Sequence, residues 1–274
     1  MSYIDGQSIQ FLCSSFIGVD FDFNFNPNVK KYSERYIHMG HNEPINNEPY
    51  IFCYTDRLNE FETLVKTLKM MQNKFILIFH NSDNCFDDKH IQLFEELPLL
   101  QHIYTQNMNT LHPKVSALPI GLCNRSEGLQ GTYETEVEKT NNIYFHFTIS
   151  TNKVKRQECY EKIIKKGVEW KPNKIHYPRY LLELKTYKYC ICPEGNGIDT
   201  HRFWESLYMN VIPICKKNVL VEYFSKYFPI VLLDDWDDLD LTKLDEVYDN
   251  MKINHELLTM DYIESLFKSH QLAL

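Results

Sequence analysis

Apolar positions along this chain follow two alternating periods, near two and near 3.6 residues, and the switch between them predicts a succession of strands and helices. In the first half, Ile9–Cys13 and Tyr50–Cys53 have the length and β-branched or aromatic content of short strands. Between residues 57 and 72, Leu58, Phe61, Leu64, Val65 and Leu68 repeat at helical spacing and predict an amphipathic helix. Phe75–Phe79 is then apolar throughout, as expected of a parallel strand buried on both faces. It runs straight into His80-Asn81-Ser82-Asp83. A helix over 88–97 and strands over 101–105 and 114–118 follow, closed by Pro119-Ile120-Gly121.

Residues 123–142 are polar, contain glycine and show neither period, so the chain is expected to divide there. A second series follows: a strand over 143–147, helices over 154–166 and 179–186, and a strand ending near Cys192. A loop, a helix opening at Asp199/Thr200, a strand over 211–215, a helix over 218–227 and a strand over 229–233 come next. Helices over 240–252 and 261–269 end the sequence. Alternating βα units predict parallel sheets. The expected fold is therefore α/β, two Rossmann-like domains facing across a cleft. Domain one spans 1–125, a linker 126–142, and domain two 143–274, with the last helix able to pack back on domain one. Ligands in such folds sit beyond the C-terminal ends of the strands.

The segment Tyr187–Cys215 holds the densest chemistry. Glu194, Gly195, Asn196, Gly197, Asp199, Thr200, His201, Arg202 and Glu205 crowd one strand-to-helix loop between apolar strands. Glycines there let the backbone turn sharply and approach a ligand closely. The following helix would present unpaired N–H groups and the positive end of its dipole, an environment for anions. Arg202 can fork onto phosphate, and Glu205 can accept from sugar hydroxyls. Arg156, after the 143–147 strand and near another helix start, is a second phosphate candidate.

Composition narrows the function classes. The 274 residues carry a net charge of −8 with no basic patch, which argues against a nucleic-acid partner. No apolar run approaches the roughly 18 residues of a membrane span, and the N-terminal residues lack the pattern of a secretory signal. Eight cysteines stand mostly apart, as expected of reduced thiols in a cytoplasm. His38/His41 and Cys190/Cys192 lack the further ligands of a zinc site.

The run Cys192-Pro193-Glu194-Gly195-Asn196-Gly197, continuing through Asp199, Thr200, Arg202, Trp204-Glu205-Ser206-Leu207 and Ile212-Pro213-Ile214, resembles the C-terminal signature of exostosin-like glycosyltransferases. Small enzymes of this type occur in large DNA viruses and some microbes. His80-Asn81-Ser82-Asp83, Gln106-Asn107, Leu118-Pro119-Ile120-Gly121 and Thr151-Asn152 with Arg156 resemble further landmarks, so the likeness spans about residues 75–235. It implies a GT-B-like pair of domains and a nucleoside-diphosphate sugar, such as a UDP- or GDP-sugar, as donor. It further implies a glycan or small sugar as acceptor, inversion at the sugar carbon, and no essential metal or other cofactor; for a viral protein the compartment would be the host cytoplasm. Direct displacement needs a base for the acceptor hydroxyl, and Asp83 or His80 would supply it. Two other readings stay open: a metal-dependent transferase using Asp20 and Asp22, and a carbohydrate- or nucleotide-binding module without turnover.

Overall fold

A computed structural model describes residues 3–18, 35–123, 136–171, 175–248 and 251–271. The chain forms two compact units, one of residues 2–120 with 260–274, the other of residues 121–259. The final helix, Met260–Gln271, therefore belongs to the N-terminal unit.

Among its described residues the N-terminal unit contains eight strands: β1 (Ser15–Ile17), β2 (Tyr36–Ile37), β3 (Tyr50–Tyr54), β4 (Phe75–His80), β5 (Phe86–Asp87), β6 (Leu100–Thr105), β7 (Met108–Asn109) and β8 (Val115–Ala117). Six of them form a parallel sheet in the order β2-β1-β3-β4-β6-β8, while β5 and β7 pair separately. All six residues of β4 are buried, as its unbroken apolar run requires of a central strand. Phe16, Phe52, Ile76, Ile78 and Tyr104 of the sheet pack with Met260, Ile263 and Phe267 of the final helix. Those three recur at helical spacing and form its apolar stripe. Tyr104 Oη also donates to the Leu266 carbonyl at 3.0 Å.

Three expected elements change here; one is the helix expected over 88–97, which is a 3-10 turn, Asp88–Gln92, followed by the short α-helix Leu93–Glu96. Residues 6–12 are a helix (Gly6–Leu12), not a strand, because Asp5 caps it: its Oδ1 accepts from the amides of Gln7 and Ser8, each at 2.9 Å. A short apolar run does not by itself separate strand from helix; the cap decides. The helix expected over 57–72 is a 3-10 turn, Thr55–Glu60, followed by the shorter α-helix Phe61–Leu68.

The C-terminal unit holds β9 (Asn141–Tyr144), β10 (Tyr187–Ile191), β11 (Ile212–Lys216) and β12 (Val231–Leu233), all parallel in the order β12-β11-β10-β9. Helices Lys153–Lys165, Tyr177–Leu184, His201–Tyr208, Val219–Phe224 and Leu241–Tyr248 accompany them. Alternate residues of β10 serve two layers. Tyr189 and Ile191 join Cys159, Ile163, Leu233 and Trp236 in one core. Cys192, two residues after Cys190, places its Sγ 3.7 Å from Ser206 Oγ of helix 201–208. That helix carries Trp204, Leu207 and Tyr208 at 1% exposure or less, so its aromatic stripe is core. Among the described residues no helix is long and apolar enough to cross a membrane, and no disulfide joins the cysteines.

Candidate functional site

Strand β10 delivers the chain into the loop 192–200, and helix 201–208 carries it away; the dense polar segment thus lies at the C-terminal edge of the sheet. The backbone bends sharply over residues 196–199, with the Gly195 amide donating to the Gly197 carbonyl at 3.1 Å, although neither glycine adopts the left-handed conformation. What position 195 demands is close approach. A Cβ there would lie 3.2 Å from Arg156 Nη2 and 3.4 Å from Thr200 Cγ2.

Several residues expected to meet a ligand instead brace this loop. The Glu194 carboxylate binds Lys155 and accepts from Asn218 Nδ2 at 2.9 Å, while its carbonyl accepts from Arg156 Nε at 2.8 Å. Asn152 Nδ2 donates to the Gly195 carbonyl at 2.8 Å. Asp199, 6% exposed, accepts from Trp204 Nε1 at 2.8 Å. His201 Nδ1 lies 2.8 Å from the Gly121 carbonyl. Asn196 is exposed at the loop tip. Thr200 occupies the N-cap position without a side-chain cap bond, which leaves first-turn N–H groups for another acceptor. At the other end of the helix, Lys139 Nζ donates to the carbonyls of Met209 and Lys185, at 3.0 and 2.8 Å.

The two arginines behave differently from those braces. Arg156 is 8% exposed; besides Glu194 it donates from Nη1 to the Thr148 carbonyl at 2.9 Å and lies over the Phe147 ring at 5.6 Å. Arg202 is half-buried, donates to Tyr180 Oη at 3.4 Å and stands over that ring at 5.4 Å. Neither forms an ion pair with a carboxylate among the described residues. A guanidinium carries five N–H donors, and most on this pair have no protein acceptor. Burial, and then the charge of Arg202, lower the Arg156 pKa to about 10. Burial works against Arg202 too, yet its surroundings hold its pKa above the ordinary arginine value. Burial keeps Tyr180, Cys190 and Cys192 beside it protonated, so Glu205 supplies the one carboxylate of that group.

Glu205 is only 5% exposed and accepts from Tyr180 Oη at 2.9 Å. The tyrosine thus joins Arg202 to Glu205 through one hydroxyl. Sequence reasoning missed Tyr180, since nothing in a helix Tyr marks which distant groups its hydroxyl will meet. Between the loop and helix 219–224 lies a small recess lined by Pro193, Ile198, Phe203, Val221 and Phe224 among others; neither arginine lines it.

In the N-terminal unit, His80 is fully buried, with Nδ1 2.8 Å from Asn81 Oδ1 and Nε2 3.1 Å from the Pro119 carbonyl. Both ring nitrogens are engaged in these contacts. Asp83 is exposed in the loop after β4 and makes no hydrogen bond or ion pair among the described residues. Asp20 and Asp22 lie outside the described residues, as do residues 126–135 of the expected linker.

No protein-family model matches the chain, and no significant match occurs among curated proteins.

Proposed function

We propose that the protein is a glycosyltransferase that moves a sugar from a nucleoside-diphosphate sugar to a hydroxyl of a sugar or glycan. The reading assigns it the GT-B-like pairing of two Rossmann-like domains found in the exostosin-like enzymes. One observation carries it: among the described residues Arg156 and Arg202 form no ion pair with a carboxylate beside an uncapped helix start, and Glu205, reached through Tyr180, is the one carboxylate near the pair. Two cations sharing one counter-charge favour an anionic ligand, because burying an unmatched charge is costly. A diphosphate supplies that charge in the ground state and more of it as the glycosyl bond breaks, so the same groups stabilise the leaving group. Glu205 and Tyr180 hold Arg202 in place for this. The acceptor belongs to the N-terminal unit, where Asp83 takes the hydroxyl proton as the sugar carbon is attacked. Attack opposite the leaving diphosphate inverts the carbon and requires no metal from these residues.

The test is a thermal-shift screen over UDP-, GDP- and other nucleotide sugars, followed by turnover with the stabilising donor and candidate sugar acceptors. Donor binding raises the unfolding temperature by mass action. Arg202→Ala should unfold without donor much as the wild type does. It should weaken donor binding about 10–100-fold, the loss of a charged hydrogen bond of about 1.5–3 kcal/mol, and abolish transfer. Near-wild-type activity in Arg202→Ala sinks the proposal, and donor binding with no transfer to any acceptor points to a binding module.

A further inference from the structure

We propose that His102 and His270 form an acid-sensitive clasp that releases the final helix, Met260–Gln271, from the parallel sheet of the N-terminal unit as pH falls from about 7 to about 5. That helix is the second of two chain crossings between the units: the chain leaves the N-terminal unit after Ile120 and returns to it at Met260. Release of the helix leaves the crossing at 120–121 alone.

The contact joins a strand to the helix through three rings. His102 lies on β6, 5% exposed and in register with Ile76 of β4, and its Nε2 is 3.0 Å from Ser116 Oγ of β8. His270, in the last turn of the helix, packs its ring on His102 with centroids 4.0 Å apart and planes 32° from parallel. Tyr104, two residues along β6 and so on the same face, touches both: its ring centroid is 4.8 Å from His102 and 5.4 Å from His270. The Tyr104 hydroxyl gives its hydrogen to the Leu266 carbonyl, so it accepts from His270 Nδ1. That bond fixes a hydrogen on Nδ1, and any further proton on His270 goes to Nε2.

The titratable groups facing His102 are His270 on the helix, His112 three residues before β8, and Tyr104 on its own strand. On the helix, Lys268 is paired with Glu264 at 2.6 Å, and no described carboxylate forms an ion pair with either imidazole. Protons on both rings therefore set like charges face to face in a site shielded from water, where they repel strongly. Burial, then His270 and His112, lower the His102 pKa to about 3. Once the helix leaves, the ring meets water and titrates near the ordinary histidine value of about 6.5. The docked state thus binds fewer protons than the open one below about pH 6.5, so docking is strongest above that pH and weakens as pH falls through it. Met260, Ile263 and Phe267 hold the helix by apolar contacts that do not titrate. The step moves protons from solvent to imidazole nitrogens, and no bond other than N–H forms or breaks.

Amide hydrogen exchange of the full chain, read as protection relative to an unstructured peptide at the same pH, measures the open population directly. Between about pH 7 and about pH 5 that population should rise about 25-fold, from the two pKa values above. Protection of residues 260–271 should fall by that factor while strand Phe75–His80 keeps its own. In His102→Gln the amide can still bond Ser116 but does not titrate, and the fall should shrink below about twofold. Unchanged wild-type protection of 260–271 between the two pH values overturns the proposal, as does an equal fall in Phe75–His80 or in His102→Gln. Where the variant does not fold, an NMR titration of the wild-type imidazoles decides: a His102 ring that titrates near about 6.5 in the folded protein overturns the clasp, and one still neutral at about pH 5 supports it.

Discussion

Replacing Tyr180 with Phe removes a single oxygen and thereby tests how the site is held. That oxygen donates to Glu205 at 2.9 Å and accepts from Arg202 at 3.4 Å. Glu205 is 5% exposed and this is the only hydrogen bond its carboxylate makes among the described residues. The Phe ring keeps the packing and the contact beneath Arg202, so the cost is electrostatic: a buried carboxylate loses its donor. Hydrogen bonds to charged groups contribute about 1.5–3 kcal/mol. For a domain of about 150–250 residues, 1 kcal/mol moves the unfolding temperature by about 2–4 °C, so Tyr180→Phe should lower it by about 3–12 °C. The cause is separable by a double-mutant cycle. In a Glu205→Gln background the acceptor is a neutral amide, cheaper to leave unpaired, and Tyr180→Phe should cost about 1 kcal/mol less. Thermal unfolding of the four proteins at neutral pH measures both quantities. A shift below about 1 °C, or equal costs in the two backgrounds, refutes the bridging role of Tyr180.

Two further outcomes follow from the N-terminal unit. Asp83→Asn should slow transfer by about 10²-fold or more while the donor dissociation constant stays within about twofold; a collapse of donor affinity refutes its assignment as acceptor base. Gly6→Ala should destabilise by about 1–3 kcal/mol through overpacking, because the added Cβ would lie 1.9 Å from Asn81 Oδ1. That side chain is not free to retreat, since Nδ2 of Asn81 donates to the Gly6 carbonyl and to Gln10 Oε1, each at 3.2 Å. An unchanged unfolding temperature refutes this account of the junction.

The sequence by itself determined the α/β class, the central strand over Phe75–Phe79 and the strand-loop-helix around Gly195, and it singled out both arginines. These depend on local causes: a period of two or 3.6, an apolar run, a loop rich in polar groups. It misjudged residues 6–12, where a capping carboxylate outweighed a strand-like run, and it missed β1 and β2, which are too short to show a period. Tertiary structure decided what each polar residue of the loop does. Glu194 and Asp199 meet Lys155, Asn218 and Trp204 and become braces, and His80 is closed off by Asn81 and Pro119. Arg156 and Arg202, 46 positions apart in sequence, form no ion pair with a carboxylate among the described residues. A hydrogen bond between residues more than 20 positions apart, such as Tyr180 to Glu205, has no local signature, because its partners are set by how strands register and helices pack. The chain's pattern specifies which segments fold; only packing determines which polar and charged groups find partners.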